Sequence, residues 1–237
     1  VSATLVQRLM SNAASHTPIS PDSGRIAYRE PTGIEVVSVS GGRPIRVLAA
    51  TDIGHSLCWS PHGEWIWYSY GPDATRLGRV PSGGGAQVIV DAPAGVLLDC
   101  SPDGRWLVRI GTAGFVLTAT DGKTERLVAP FTTYATRGEK AVQFGEDGRR
   151  LYFLSLDRRT IDVVDGASGT KLHSIMFDLA PADQIEGFSF SPDGSRVLLT
   201  TGGDRNDLWM AVGFARPATS WRRWFGHWES PMPAPTR

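Results

Sequence analysis

A ten-residue unit occurs five times in the 237-residue chain: ISPDSGRIAY from Ile19, WSPHGEWIWY from Trp59, CSPDGRWLVR from Cys100, FGEDGRRLYF from Phe144 and FSPDGSRVLL from Phe190. Its second residue falls at Ser20, Ser60, Ser101, Gly145 and Ser191, giving spacings of 40, 41, 44 and 46 residues. A repeat constrains a fold more than any composition does, because one unit cannot bury its apolar face alone and must stack on its neighbours. The local pattern is one of short alternating or wholly apolar runs broken by turn residues, with no stripe of period 3.6, so helical repeats of similar length are excluded. Repeats of roughly 40–50 residues built from short strands suit the four-stranded blades of a β-propeller.

The third copy reads strand by strand. A first strand ends at Leu98–Ser101, and Pro102, Asp103 and Gly104 make a turn: proline fixes φ, aspartate bonds nearby backbone and glycine accepts positive φ. Trp106–Ile110 returns as the second strand, Phe115–Thr120 is the third, and Arg126–Val128 the fourth. The same reading fits Ile34–Val39 with Ile45–Ala49 in the first copy and Ile161–Val164 with Leu172–Phe177 in the fourth. The last copy supplies three strands, ending with Asp207–Phe214, while the N-terminal VQRLM at Val6–Met10 resembles the fourth strands of other copies. The expectation is an all-β propeller of five four-stranded antiparallel blades over residues 1–214, its last blade completed by the N-terminal strand, which removes an exposed sheet edge. The rival reading makes Val6–Met10 a remnant of an upstream blade and the five blades an arc of a larger ring. Residues 215–237 form a separate tail.

The SPDG-centred units, five in register, resemble the WD-like repeats of TolB-type propellers, and the resemblance spans about Val6 to Phe214. It implies the propeller fold and a set of roles: periplasmic scaffold, companion of a peptidase domain, or sensor domain of bacterial regulators and kinases. An extracytoplasmic location is implied by the resemblance alone. In the fourth copy Gly145-Glu146 stands in place of Ser-Pro.

Chemistry is hard to find. The formal net charge is zero, from 24 basic and 24 acidic residues, so no net field attracts nucleic acid. No apolar run approaches the roughly 20 residues that cross a bilayer as a helix. Gly166-Ala167-Ser168-Gly169 lacks the spacing of a nucleophile elbow, and the five histidines are scattered. Asp204, Asn206 and Asp207 resemble part of a calcium loop without its later acid and central glycine. No cofactor or metal is expected, and the chain reads as non-enzymatic. Cys58 and Cys100 lack metal-type spacing and read as buried small hydrophobes, a structural disulfide being the minor alternative.

Function then falls to surfaces. Propeller geometry puts the loops joining fourth to first strands on the same face as those joining second to third, opposite the SPDG turns. That face is expected to carry Tyr70, Asp73, Tyr134, Arg137, Arg158, Arg159, Asp204 and Arg205, a tyrosine and arginine mixture suited to a protein or peptide partner. Arg109 breaks the column Tyr28, Tyr68, Arg109, Phe153, Leu199, where every other copy has an aromatic or aliphatic residue. Two readings are open: Arg109 anchors a ligand or partner, or it snorkels into the central channel. In the tail, Trp221, Trp224, Phe225 and Trp228 recur at helical spacing, expected as a short helix that docks on the propeller, a partner or a membrane surface. The favoured function is a protein-interaction or sensor module of a larger protein. The alternatives are a gating domain for a hydrolase whose catalytic part is absent, and a small-ligand receptor using the channel.

Overall fold

The computed structural model describes residues 18–136, 141–179, 181, 183–190, 196–202 and, for backbone alone, 207–212. All regular structure there is antiparallel β-sheet apart from one 3-10 turn at Pro72–Ala74. In blade 1, Ile19 bridges Ile26 and is followed by β1 (Arg25–Glu30), β2 (Gly33–Ser38) and β3 (Ile45–Ala49). Blade 2 comprises β4 (Ile53–Trp59), β5 (Trp65–Tyr70), β6 (Arg76–Pro81) and β7 (Val88–Val90). Blade 3 comprises β8 (Val96–Cys100), β9 (Trp106–Ile110), β10 (Gly114–Ala119) and β11 (Glu125–Pro130). Blade 4 comprises β12 (Val142–Phe144), β13 (Arg150–Leu154), β14 (Thr160–Asp165) and β15 (Lys171–Met176), and blade 5 β16 (Gln184–Phe190), β17 (Arg196–Gly202) and β18 (Asp207–Val212). Each sheet keeps its strands in chain order, the meander expected of a propeller blade. The closing strand at Val6–Met10 and the aromatic tail lie outside the described residues.

The SPDG turns are held as their composition dictates. Ser101 Oγ donates to Asp103 Oδ1 (2.6 Å) and accepts from the Trp106 backbone N–H (2.9 Å), while Asp103 Oδ1 takes the Arg105 N–H (3.0 Å). In the fourth copy, where Gly145 has no hydroxyl, Asp147 Oδ1 accepts from the N–H groups of Arg149 (2.9 Å) and Arg150 (3.0 Å) instead. Burial works to raise the Asp147 carboxyl, but those two N–H groups and the Arg150 side chain outweigh it and leave it below its ordinary value.

Alternation along each strand sends one set of side chains to the preceding blade and the other to the following one. Tyr68 therefore joins Ile34 and Val36 between blades 1 and 2, Phe153 joins Phe115 and Leu117 between blades 3 and 4, and Leu199 joins Ile161 and Val163 between blades 4 and 5. Close to the axis, a rung joins consecutive first strands just before their turns. Counting back from the Ser or Gly that opens each turn, the rung links the second residue before it in one blade to the first residue before it in the next. Pro18 C=O accepts from Trp59 Nε1 (2.9 Å), Asp99 Oδ2 from the Phe144 N–H (3.0 Å), and Gln143 Oε1 from the Phe190 N–H (2.9 Å).

Between blades 2 and 3 this rung is covalent: Cys58 and Cys100 form a disulfide with Cα atoms 5.8 Å apart. The expectation of two unlinked thiols is overturned. The cysteines are 42 residues apart whereas their turns, at Ser60 and Ser101, are 41 apart. That one-residue difference reverses the face, so Cys58 points forward and Cys100 points back.

Candidate functional surface

Arg109 lies on the face of blade 3 that meets blade 2, with no exposed surface. Its Nη1 donates to Thr118 Oγ1 (3.2 Å) and lies 3.7 Å from Glu125 Oε2. Its Nη2 donates to the carbonyls of Pro93 (2.7 Å), Gly95 (2.8 Å) and Thr75 (3.4 Å). Nε has no hydrogen-bond partner. Burial lowers the guanidinium from its ordinary value, with Glu125 opposing the shift. Neither reading from sequence describes this placement: Arg109 is walled off from the channel, and its donors tie the loop between blades 2 and 3 to the Thr75 hairpin. A channel receptor in which Arg109 holds an anion has no free guanidinium to use.

Tyr134, expected on the surface, is also buried. It bridges Ser155, stacks on Phe153 (centroids 4.5 Å apart) and meets Phe115 edge-on at 6.3 Å. Burial first, and the charge of Asp162 second, push its phenol up to about 12. The long loop after β11 thus folds an aromatic back into the seam between blades 3 and 4. Tyr70 closes β5, is half-buried against the seam between blades 1 and 2, and lies 6.0 Å from Tyr68. Asp73 is exposed at the tip of the Pro72–Ala74 turn, with φ of 60°.

Arg158 and Arg159 occupy the β13–β14 hairpin, as expected, but they reach across to the next blade. Arg158 Nε donates to Ile185 C=O (3.0 Å), its Nη2 pairs with Glu186 Oε2 (2.7 Å), and its own C=O accepts the Ile185 N–H (2.7 Å). Arg159 Nη1 donates to Asp183 C=O (3.1 Å) and its Nη2 to Leu179 C=O. Arg137, Asp204 and Arg205 lie outside the described residues, as do Trp221, Trp224, Phe225 and Trp228.

The large apolar side chains exposed on this face belong to residues the sequence did not single out. Leu156, in the same hairpin, is 59% exposed; Phe131, which opens the loop after β11, is 38% exposed; Met176, at the end of β15, is 77% exposed. Met176 pairs with Thr160 across the β14–β15 ladder, and Phe131 lies 6.4 Å from Phe115, so all three stand at the loop-bearing ends of blades 3 and 4. One signal was available: Leu156 and Phe131 are apolar residues in turn segments, where the strand register offers them no buried slot. Among the described residues no three His, Cys, Asp or Glu side chains form a metal-holding group, and no helix is long and apolar enough to cross a membrane.

No family model matches the chain, and no curated protein matches it in sequence. Solved structures do. A protein described as TolB from Agrobacterium tumefaciens superimposes with a TM-score of 0.66 at 17% identity, over 83% of this chain and 76% of that one. TolB from Acinetobacter baumannii gives 0.62 at 15% identity, over 81% of this chain and 50% of its own. The Swd1 β-propeller domain of Myceliophteria thermophila gives 0.57 at 12% identity, over 88% and 67%. At these identities the likeness concerns fold: the chain has the fold of TolB-like β-propellers.

Proposed function

We propose that this TolB-like β-propeller is a non-catalytic protein-interaction module that holds a protein or peptide on its loop-bearing face and acts as the sensing or scaffolding part of a larger protein. One observation carries the reading. Phe131, Leu156 and Met176 present apolar surface to solvent from the same end of blades 3 and 4, and the Leu156 hairpin is pinned to blade 5 by Arg158 and Arg159. Exposed apolar groups on a stiff support form a surface that loses little conformational entropy on binding. The arginines expected to touch the partner are spent on stiffness, and the contact falls to the apolar residues beside them.

The test is affinity capture with the parent protein, with Leu156→Glu and Phe131→Glu, and with Lys123→Glu in the turn on the opposite face. A protein held by the parent and by Lys123→Glu, and lost from both apolar-to-acid variants while each still unfolds cooperatively well above the assay temperature, supports the reading. Retention of every captured species by Leu156→Glu and Phe131→Glu refutes it.

A further inference from the structure

The four described seams between consecutive blades are not held alike. Eleven buried residues fill each of the seams 1/2, 3/4 and 4/5. The hydrophobic cluster between blades 2 and 3 has five buried members, Cys58, Trp67, Leu77, Leu97 and Leu107, and the polar side chains of Ser69, Arg109 and Thr118 are buried beside them. Polar links supplement that smaller apolar core: the Leu97 N–H donates to Ser69 Oγ (2.6 Å) and the Gly95 N–H to the Thr75 C=O (2.9 Å), and a stronger crosslink stands at each end of the seam. At the loop-bearing end, Arg109 ties Pro93, Gly95 and Thr75 to blade 3. At the turn end, the Cys58–Cys100 disulfide occupies the position where the next two seams have a single side-chain-to-backbone hydrogen bond.

From this distribution we infer that the blade 2/3 seam is a redox-controlled joint, locked by the Cys58–Cys100 disulfide and released at its turn end by a dithiol reductant. Cys58 is buried and Cys100 is partly exposed, so the incoming thiolate attacks Cys100 Sγ. A mixed disulfide forms there and the S–S bond breaks, expelling the Cys58 thiolate, which takes up a proton. The second thiol of the reductant then closes on the first and expels the Cys100 thiolate, which is protonated in turn. Two electrons pass from the dithiol, which leaves as a cyclic disulfide, to the protein, which now carries two thiols. The Arg109 clamp is untouched, so the turn ends of β4 and β8 separate about it. The hydrogen-bonded rungs of the other seams are indifferent to the reductant. With only two cysteines in the chain, reoxidation has one intramolecular product, and the joint is reversible.

The experiment uses the whole chain and needs no partner. Iodoacetamide under denaturing, non-reducing conditions should label neither cysteine of the protein as isolated; labelling of both overturns the proposal. Hydrogen–deuterium exchange is then compared with and without dithiothreitol. The expected result is protection lost by about tenfold or more in β4, β8 and the turns that follow them, unchanged protection in blades 4 and 5, and recovery on adding oxidised dithiothreitol. The melting temperature of the reduced form should fall by about 5–15 °C, the effect of losing one crosslink in a chain of this size. Unchanged exchange in β4 and β8 after complete reduction would mean that the bond controls nothing. Loss of protection in every blade together would make it a global staple and not a joint. Reducing the folded protein avoids dependence on how Cys58→Ser or Cys100→Ser folds, and those variants, where folded, should match the reduced form.

Discussion

Replacing Arg109 with leucine would restore the apolar pattern of its repeat column and is nonetheless expected to destabilise the protein. The carbonyls of Pro93 and Gly95 take its shortest hydrogen bonds, at 2.7 and 2.8 Å, in a seam from which Arg109 itself is wholly hidden. Leucine leaves both without a donor, at about 1–3 kcal/mol each. Thr118 keeps its bond to Glu125 (3.0 Å), and the Glu125 side chain, 25% exposed, can regain water, so the lost ion pair adds little. Apolar burial of the new side chain returns roughly 1–2 kcal/mol. The midpoints of these ranges leave a net loss of about 2.5 kcal/mol, just under the ~3–5 kcal/mol for removing one partner of a buried charged pair. At about 2–4 °C per kcal/mol, the melting temperature should fall by about 5–10 °C. Arg109→Lys should fall between, because one ammonium cannot span Thr118 and the two carbonyls together. Thermal and urea unfolding of both variants are the assay. A leucine variant that melts at or above the parent would refute the claim that these hydrogen bonds hold the seam.

Leu156→Glu should abolish partner capture while shifting the melting temperature by less than about 2 °C, as solvent-facing substitutions do. Phe131→Glu, which also gives up its ring contact with Phe115, should abolish capture at a cost of a few degrees. Reduction of Cys58–Cys100 should loosen β4 and β8 and leave blades 4 and 5 protected, read by hydrogen–deuterium exchange. Burial pushes the phenols of Tyr68 and Tyr134 up to about 12. The folded state therefore holds protons that the unfolded state releases near 10, so stability should decline between about pH 10 and 12. Tyr134→Phe should flatten that decline in alkaline unfolding curves. Gly122→Ala should cost several degrees of melting temperature, because Gly122 has φ of +78° and a Cβ there would stand 2.1 Å from the backbone oxygen of Asp91; left-handed backbone alone costs alanine about 1–2 kcal/mol.

The blades were legible because turn and strand signals recur in register: β9 spans Trp106–Ile110 and β3 spans Ile45–Ala49, as the repeat predicts. What the sequence concealed lies between repeats. Arg158 and Arg159 look like a solvated hairpin until Leu179, Asp183 and Ile185 are brought against them, and nothing local encodes that return. Tyr134 sits in a loop with no strand periodicity, so its stacking on Phe153 depends on tertiary closure alone. Arg109 was legible as an anomaly, but its partners come from residues 14, 16 and 34 positions away. A parity hides the disulfide: inside its own repeat each cysteine has no companion, and only the one-residue offset between the two repeats turns Cys58 and Cys100 toward each other.

The rungs near the axis also limit where this architecture can change length. Spacing between successive turns already ranges from 40 to 46 residues, and the variation is absorbed by the connections between strands. The two positions ahead of each turn have no such latitude. Inserting a single residue between Asp99 and Ser101, or between Gln143 and Gly145, would turn a forward-pointing side chain backwards and strand the N–H of Phe144 or Phe190 opposite it. A blade of this protein can therefore lengthen at its face, where a new loop meets a new partner, but at its hub it is counted residue by residue.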